Sequence, residues 1–239
     1  MSGHSKWSTI KRKKGAIDAE RGKVFAKLAK EIYVAAKSGE ADPANNAALR
    51  MVVEKAKSQN MPKSNIENAI SKAKAKGNGE NYDAIRYEGY GPGGIAIMID
   101  CLTDNKNRTA SFVRSTLTKR GGNLGTDGSV SYLFKRKGLI ILDKKYDEDE
   151  LMTKVLDLDV LDFRSEDDGY VVETSPDSFL SVKDELENSG YDEFIVSEVT
   201  YVPDNYIMLD GEVADRAMSL IDSLEELDDV QSVYHNMEI

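Results

Sequence analysis

The hydrophobic pattern of this chain changes period once, at Lys76-Gly77-Asn78-Gly79-Glu80-Asn81, and that change limits what each side can fold into. Upstream, apolar residues recur at spacings of three and four, the signature of helices with one buried stripe. Downstream, short apolar or alternating runs are separated by helical stretches and glycine turns, the signature of mixed sheet and helix. The charge changes at the same place. Residues 1–76 carry 17 Lys+Arg against 7 Asp+Glu, and the remainder carries 15 against 35. The net charge of −10 therefore conceals a basic head on an acidic body. A basic head seeks polyanions through counterion release, whereas an acidic body repels them unless it folds a local basic surface.

Residues 1–21 are small, polar and basic, with the run Lys11-Arg12-Lys13-Lys14, and read as an arm. From Gly22 the helical stripe begins, carried by Val24, Phe25, Leu28, Ile32 and Ala36 and stopped at Gly39. Asp42-Pro43 reads as the cap and first residue of a second helix, with Leu49, Val52, Val53 and Ala56 inward. Pro62 opens a third, with Ile66, Ile70 and Ala73 inward.

Past the break, Ile95–Leu102 is an almost continuous apolar strand. Asp104–Arg120 is a helix stopped by Gly121-Gly122, and Ser129–Phe134 alternates like a strand. Residues 138–202 run strand, helix, strand, strand, helix, strand, with Asp168-Gly169 as the central hairpin signal. That order is the β-α-β-β-α-β ferredoxin-like unit. The tail adds a strand (Tyr206–Asp210), a helix and a last strand (Val230–Met237), which complete a second unit with the segment before Lys135. The expected fold class is α+β: an N-terminal three-helix domain followed by two ferredoxin-like α+β domains, one inserted in the other. The expected boundaries are 1–78 for the head, 79–136 with 204–239 for the discontinuous domain, and 137–203 for the acidic insert.

Motifs for chemistry are weak. Gly89-Tyr90-Gly91-Pro92-Gly93-Gly94 contains G-x-G-x-x-G, but a dinucleotide fingerprint follows a strand and opens a helix, and these glycines precede a strand. They read as a turn. Gly121–Gly128 lacks the Lys-Ser/Thr end of a P-loop and reads as a connection. His4 and His235 lie at opposite ends of the chain, and Cys101 stands alone, so no structural zinc spacing exists and no internal disulfide can form. No Ser lies in a nucleophile elbow. Asp143–Glu150 lacks the sixth-position glycine of a calcium loop and suits the start of a helix. No catalytic residue, metal site, cofactor or small-molecule substrate is expected. No apolar run is long enough for a membrane span, and the first residues lack a secretory core, so a cytoplasmic protein is expected.

The basic features carry the functional expectation. Lys6, Trp7, Lys11, Arg12, Lys13, Lys14, Arg21, Lys23 and Lys27 crowd one short stretch, with the chain's single Trp among them. Trp7 can stack on an exposed base or pack on the bundle. A second group, Lys106 and Arg108 first, with Arg114, Lys119, Arg120 and Lys135-Arg136-Lys137, lies on or after the middle helix. The start of that helix, beside Arg108, is a candidate phosphate contact.

Long segments of the chain closely resemble the YebC/PmpR family. They are Gly3-His4-Ser5-Lys6-Trp7, Arg86-Tyr87-Glu88-Gly89-Tyr90-Gly91-Pro92-Gly93-Gly94, Leu102-Thr103-Asp104-Asn105-Lys106-Asn107-Arg108-Thr109, Gly121-Gly122-Asn123-Leu124-Gly125, Gly128-Ser129-Val130-Ser131-Tyr132-Leu133-Phe134 and Val233-Tyr234-His235-Asn236. The match is loosest in the third domain. The resemblance implies a helical head and two α+β domains, and no catalytic residue. It implies a transcriptional regulator that binds promoter DNA, as bacterial members do. It also leaves open a translation factor on ribosomal RNA or the ribosome, as for mitochondrial translational activators and for bacterial relatives that help ribosomes through proline-rich stretches. The expected partner is thus nucleic acid, with DNA first.

Overall fold

The structure, a computed structural model, describes residues 17–75, 81–167 and 169–239. The head is three helices, α1 (Ile17–Lys37), α2 (Ala47–Ser58) and α3 (Lys63–Lys74). Leu28, Ile32, Ala36, Leu49, Val53, Ala56, Met61 and Ile66 form its core, the faces that the three-and-four spacing puts inward. Three details depart from the sequence reading. Val24, placed on the buried stripe, is exposed. Helix α1 begins at Ile17, so Gly22 lies inside it, a position glycine tolerates at a cost of about 1 kcal/mol relative to alanine. The cap of α2 is Asn46, not Asp42. The Asn46 side chain accepts from the Leu49 amide at 3.0 Å and donates to the Ala35 and Glu40 carbonyls. Asp42 instead accepts from the Ala44 amide in the preceding turn. One asparagine thus caps α2 and ties it to the end of α1.

The first sheet contains β1 (Asp83–Tyr90), β2 (Ala96–Thr103), β3 (Asn123–Leu124) and β9 (Val230–His235) in the order β3-β1-β2-β9, all antiparallel. Helices α4 (Lys106–Lys119) and α7 (Gly211–Glu225) cover one face. There Ile95, Ile97, Ile99 and Cys101 pack on Val113, Leu117, Leu220 and Leu224. Pro92–Gly94 is a short 3₁₀ turn joining β1 to β2, and Gly93 and Gly94 take φ of 72° and 77°, the left-handed region that glycine enters without penalty.

Strand β1 is not evident in the sequence, and the alternating Ser129–Phe134 is not a strand. It is a 3₁₀ turn, Ser131–Leu133, flanked by buried Val130 and Phe134. The cause is Glu88, a carboxylate 5% exposed that accepts the amides of Gly128, Val130 and Ser131 at 2.9, 2.7 and 2.8 Å. Those donors are no longer available to a sheet ladder. The tail strand shrinks to β8 (Ile207–Met208), which pairs in parallel with β10 (Met237–Glu238) outside the main sheet.

The second sheet opens from the chain after that turn. Strand β4 (Phe134–Leu142) is followed by α5 (Glu148–Leu156), β5 (Asp162–Glu166), β6 (Gly169–Thr174), α6 (Phe179–Asn188) and β7 (Phe194–Pro203). The order β5-β6-β4-β7, antiparallel throughout, is the ferredoxin-like arrangement. Phe134 pairs with Pro203, so the chain enters and leaves this sheet on adjacent strands. Ile140, Leu142, Leu151, Val155, Val172, Phe179 and Leu186 make its core. A Cβ on Gly138 would lie 2.2 Å from the Thr174 hydroxyl, so glycine is required where β4 passes β6 and α6. The whole is α+β, as the element pattern implies.

The head is fastened to the first sheet by its own cations and to the second by an ion pair of the opposite sense. Lys27 donates to the Glu225 carbonyl. Lys30 reaches the Leu102 and Asp228 carbonyls and lies 3.7 Å from Asp229. On the other side, Glu54 of α2 meets Lys183 of α6 at 3.1 Å. Lys55 pairs with Glu31 at 2.9 Å, and although burial alone would lower its pKa, Glu31 and the nearby Glu198 raise it.

Candidate nucleic-acid interface

The basic residues divide by what they face. Lys6, Trp7, Lys11, Arg12, Lys13 and Lys14 lie outside the described residues. Arg21 and Lys23 are exposed on the first turns of α1. Lys27, one turn further on, is half-buried against the α7–β9 region and bonded to Glu225.

The start of α4 is likewise occupied from within. Asn105 caps the helix by accepting from the Arg108 amide at 3.1 Å. Arg108 is held by Asp104 at 2.7 Å and Asp229 at 2.8 Å, and its hydrogen bonds, to Asp229 first, raise its pKa. Lys106 lies 3.5 Å from Asp83. Asp229 gathers Arg108, the Thr109 hydroxyl at 2.8 Å and Lys30. Burial pushes its pKa up, but these partners outweigh burial and lower it. The two residues that the sequence places first on this helix, Lys106 and Arg108, are therefore fastened to carboxylates of the same chain.

The outer face of α4 differs. Asn107, Ser111, Arg114, Ser115, Thr118 and Lys119 line an open concavity along it. Asn107, Ser111, Arg114 and Thr118 recur at spacings of four, three and four, so they stand in one row. The helix has no acidic residue in its 14 positions. Among the described residues no carboxylate lies within ion-pair distance of Arg114 or Lys119. Arg120 adds a guanidinium that donates to the Ser219 hydroxyl at 2.8 Å. Amide, hydroxyl and cation in a row is the donor set that phosphate oxygens take. The sequence groups these cations but ranks them second. The signal that separates them is the carboxylate each one faces, which emerges only once Asp229 and Asp83 are placed in space.

The second sheet belongs to the acidic part of the chain. Residues 137–203 carry 6 Lys+Arg against 19 Asp+Glu, most of the body's acidity, a charge balance that repels polyanions. Cys101 is 2% exposed with its pKa pushed up to about 12, chiefly by burial and then by Asp100 and Asp229, so it stays a thiol. Among the described residues, no cluster of three or more His, Cys, Asp or Glu could hold a metal ion, and no helix is long and apolar enough to cross a membrane.

A helical head fastened to two antiparallel sheets defines the architecture, and a known protein structure shares it. Family models described as "TACO1/YebC protein N-terminal domain" and "TACO1/YebC second and third domain" match residues 5–76 and 82–237. The chain is 54% identical to "Probable transcriptional regulatory protein GK2594" of Geobacillus kaustophilus, covering 100% of this chain and 98% of that one. It is 52% identical to "Probable transcriptional regulatory protein YrbC" of Bacillus subtilis, covering 99% of each. A crystal structure of the "Conserved Hypothetical Protein Aq1575" from Aquifex aeolicus matches with a TM-score of 0.81 and 43% identity, over 93% of this chain and 92% of that one. The chain belongs to the TACO1/YebC family.

Proposed function

We propose that this chain regulates gene expression in the cytoplasm by binding nucleic acid, promoter DNA first, without catalysing a reaction. The observation that carries this is the carboxylate-free outer face of α4, where Arg114 and Lys119 have no ion-pair partner among the described residues of an otherwise acidic body. The names of the family's relatives support a role in transcription. Phosphate contact falls to Lys6, Lys11, Arg12, Lys13, Lys14, Arg21 and Lys23 of the head and to Arg114 and Lys119 of α4. Lys27, Lys106 and Arg108, which also face carbonyls or carboxylates of the chain, are expected to contribute less.

The test is a salt series. Binding of the full chain to a promoter duplex and to a scrambled duplex is measured by fluorescence anisotropy, with wild type and a variant in which Lys11, Arg12, Lys13 and Lys14 are all Ala. The slope of log K against log salt should fall by about 0.9 for each B-DNA phosphate that the variant no longer neutralises. Tighter binding to the promoter than to the scramble is expected as well. Equal, weak affinity for every duplex with an unchanged slope would defeat the proposal.

A further inference from the structure

Tyr132 is 71% exposed, the most exposed large hydrophobic side chain among the described residues. Exposed aromatics scattered singly over a surface signify little. Tyr132 differs in its support. The Glu88 carboxylate takes the amides of Gly128, Val130 and Ser131, and the Glu88 carbonyl takes the amide of Gly125 at 2.8 Å. The Tyr90 hydroxyl donates to the Ser129 carbonyl at 3.0 Å. Val130 and Phe134 are buried on either side, against Ala96 and Met98. The Leu133 carbonyl accepts from the Asp204 amide at 2.9 Å. Burial would raise the pKa of Glu88, but the three amides outweigh it and hold it low, so this anchor is charged at neutral pH.

A buried carboxylate is thus committed to fixing a turn whose central side chain faces water. Lys135 and Arg136, both exposed, follow within four residues at the start of β4. Lys135 lies 3.1 Å from Asp204, whereas no carboxylate among the described residues pairs with Arg136. None of the ring pairs among the described residues includes Tyr132. A protein-binding hot spot sets its aromatic within a desolvated apolar patch. Here the next charged residues along the chain are cations, and an exposed ring on a braced turn, with a guanidinium four residues on, suits a base stacked on the ring and its phosphate on the guanidinium.

We propose that Tyr132 is a stacking platform for an unpaired nucleobase, with Arg136 as its phosphate contact. The ligand therefore includes single-stranded nucleic acid, from RNA or from melted DNA. This rests on the nucleic-acid reading above and narrows it, because a base paired in a duplex does not offer its face to a side chain.

The experiment uses the full chain with three fluorescein-labelled probes: oligo(rU)15, oligo(dT)15 and a 15-base-pair duplex. Tyr132→Ala should weaken binding to single strands about tenfold or more, leave duplex affinity unchanged, and leave the melting temperature unchanged. Tyr132→Phe and Tyr132→Trp should stay near wild type. With Trp7→Phe also introduced, the Tyr132→Trp variant carries a single indole, and its fluorescence should be quenched on adding single strands. Loss confined to one single strand names the source, RNA or DNA. If wild type binds the probes and Tyr132→Ala binds single strands equally well, or loses as much on the duplex, the platform is overturned while the broader reading stands. If wild type binds none of the three, both fall.

Discussion

Helices α1 and α4 are both rich in Lys and Arg, and read as sequences they look alike. In space they use those cations differently. Beyond its first turns α1 directs Lys27 and Lys30 toward the body, where carbonyls at 102, 225 and 228 and the carboxylate of Asp229 take them. Helix α4 does the same with its first turn, giving Lys106 to Asp83 and Arg108 to Asp104 and Asp229. Its remaining cations, Arg114 and Lys119, face solvent. An acidic body next to a basic head claims the cations that face it, and those cations become fasteners. Arg114 and Lys119, turned away, have no ion-pair partner among the described residues. The two roles predict opposite signatures: a fastened cation should matter to stability and little to salt-dependent binding, and an outward one the reverse.

The largest expected effect is at Lys183, whose ammonium lies 3.1 Å from Glu54 and 2.6 Å from Glu187 with the side chain 9% exposed. Removing one partner of a largely buried ion pair strands the others. Lys183→Met should destabilise the chain by about 3 kcal/mol in urea unfolding while leaving the salt slope of nucleic-acid binding unchanged. Burial would lower the Lys183 pKa, but Glu187 and Glu54 raise it. Its stabilising contribution is therefore complete below the ordinary 10.5 and is lost as pH rises through the raised value. Wild type should weaken in that alkaline range more steeply than Lys183→Met. Parallel curves would mean that the ion pair does not fasten head to insert.

Asp229 comes next. It joins the head through Lys30 to α4 through Arg108 and Thr109, so Asp229→Ala should cost about 2 kcal/mol. Its folded pKa is depressed from 3.8, and that of Glu88 from 4.5. A depressed carboxylate contributes fully above its unfolded value and ceases to contribute as pH falls through the folded one. Acid unfolding of wild type should steepen below about pH 4, and each of Asp229→Asn and Glu88→Gln should flatten that limb. An acid limb unchanged in both variants would mean that neither group governs acid unfolding.

How much of the fold is legible in the sequence follows the same division between local and long-range causes. The three helices of the head, the glycine turn before β2 and the element order of the insert are legible because period, caps and breakers act within a few residues. Strand β1 is not, since only Ile85 and Tyr87 alternate with Arg86 and Glu88 before Gly89 ends the run. Arg86 is satisfied by a two-pronged bond to Asp100 across the β1–β2 pair, and Glu88 by a loop forty residues away. The same loop explains why Ser129–Phe134 alternates without being a strand: the alternation reflects a buried, exposed, buried turn rather than a pleat. At the interface, the sequence groups the α4 cations together but favours Lys106 and Arg108, because the competing Asp229 comes from more than a hundred residues downstream.

The smallest effect on stability belongs to the outward pair, and it is the sharpest test of the comparison. Arg114→Ala and Lys119→Ala remove charge from an exposed face, so each should change unfolding free energy by no more than about 0.5 kcal/mol. Their effect should emerge in binding instead, as a salt slope shallower by about 0.9 for every phosphate that the side chain neutralises on duplex DNA. Arg108→Ala, earlier on the same helix, supplies the control: it should lower stability through Asp229 and leave that slope alone. Should Arg108→Ala flatten the slope and Arg114→Ala leave it untouched, the fastened and outward roles would be reversed, and the contact would lie at the capped start of α4 rather than along its outer row.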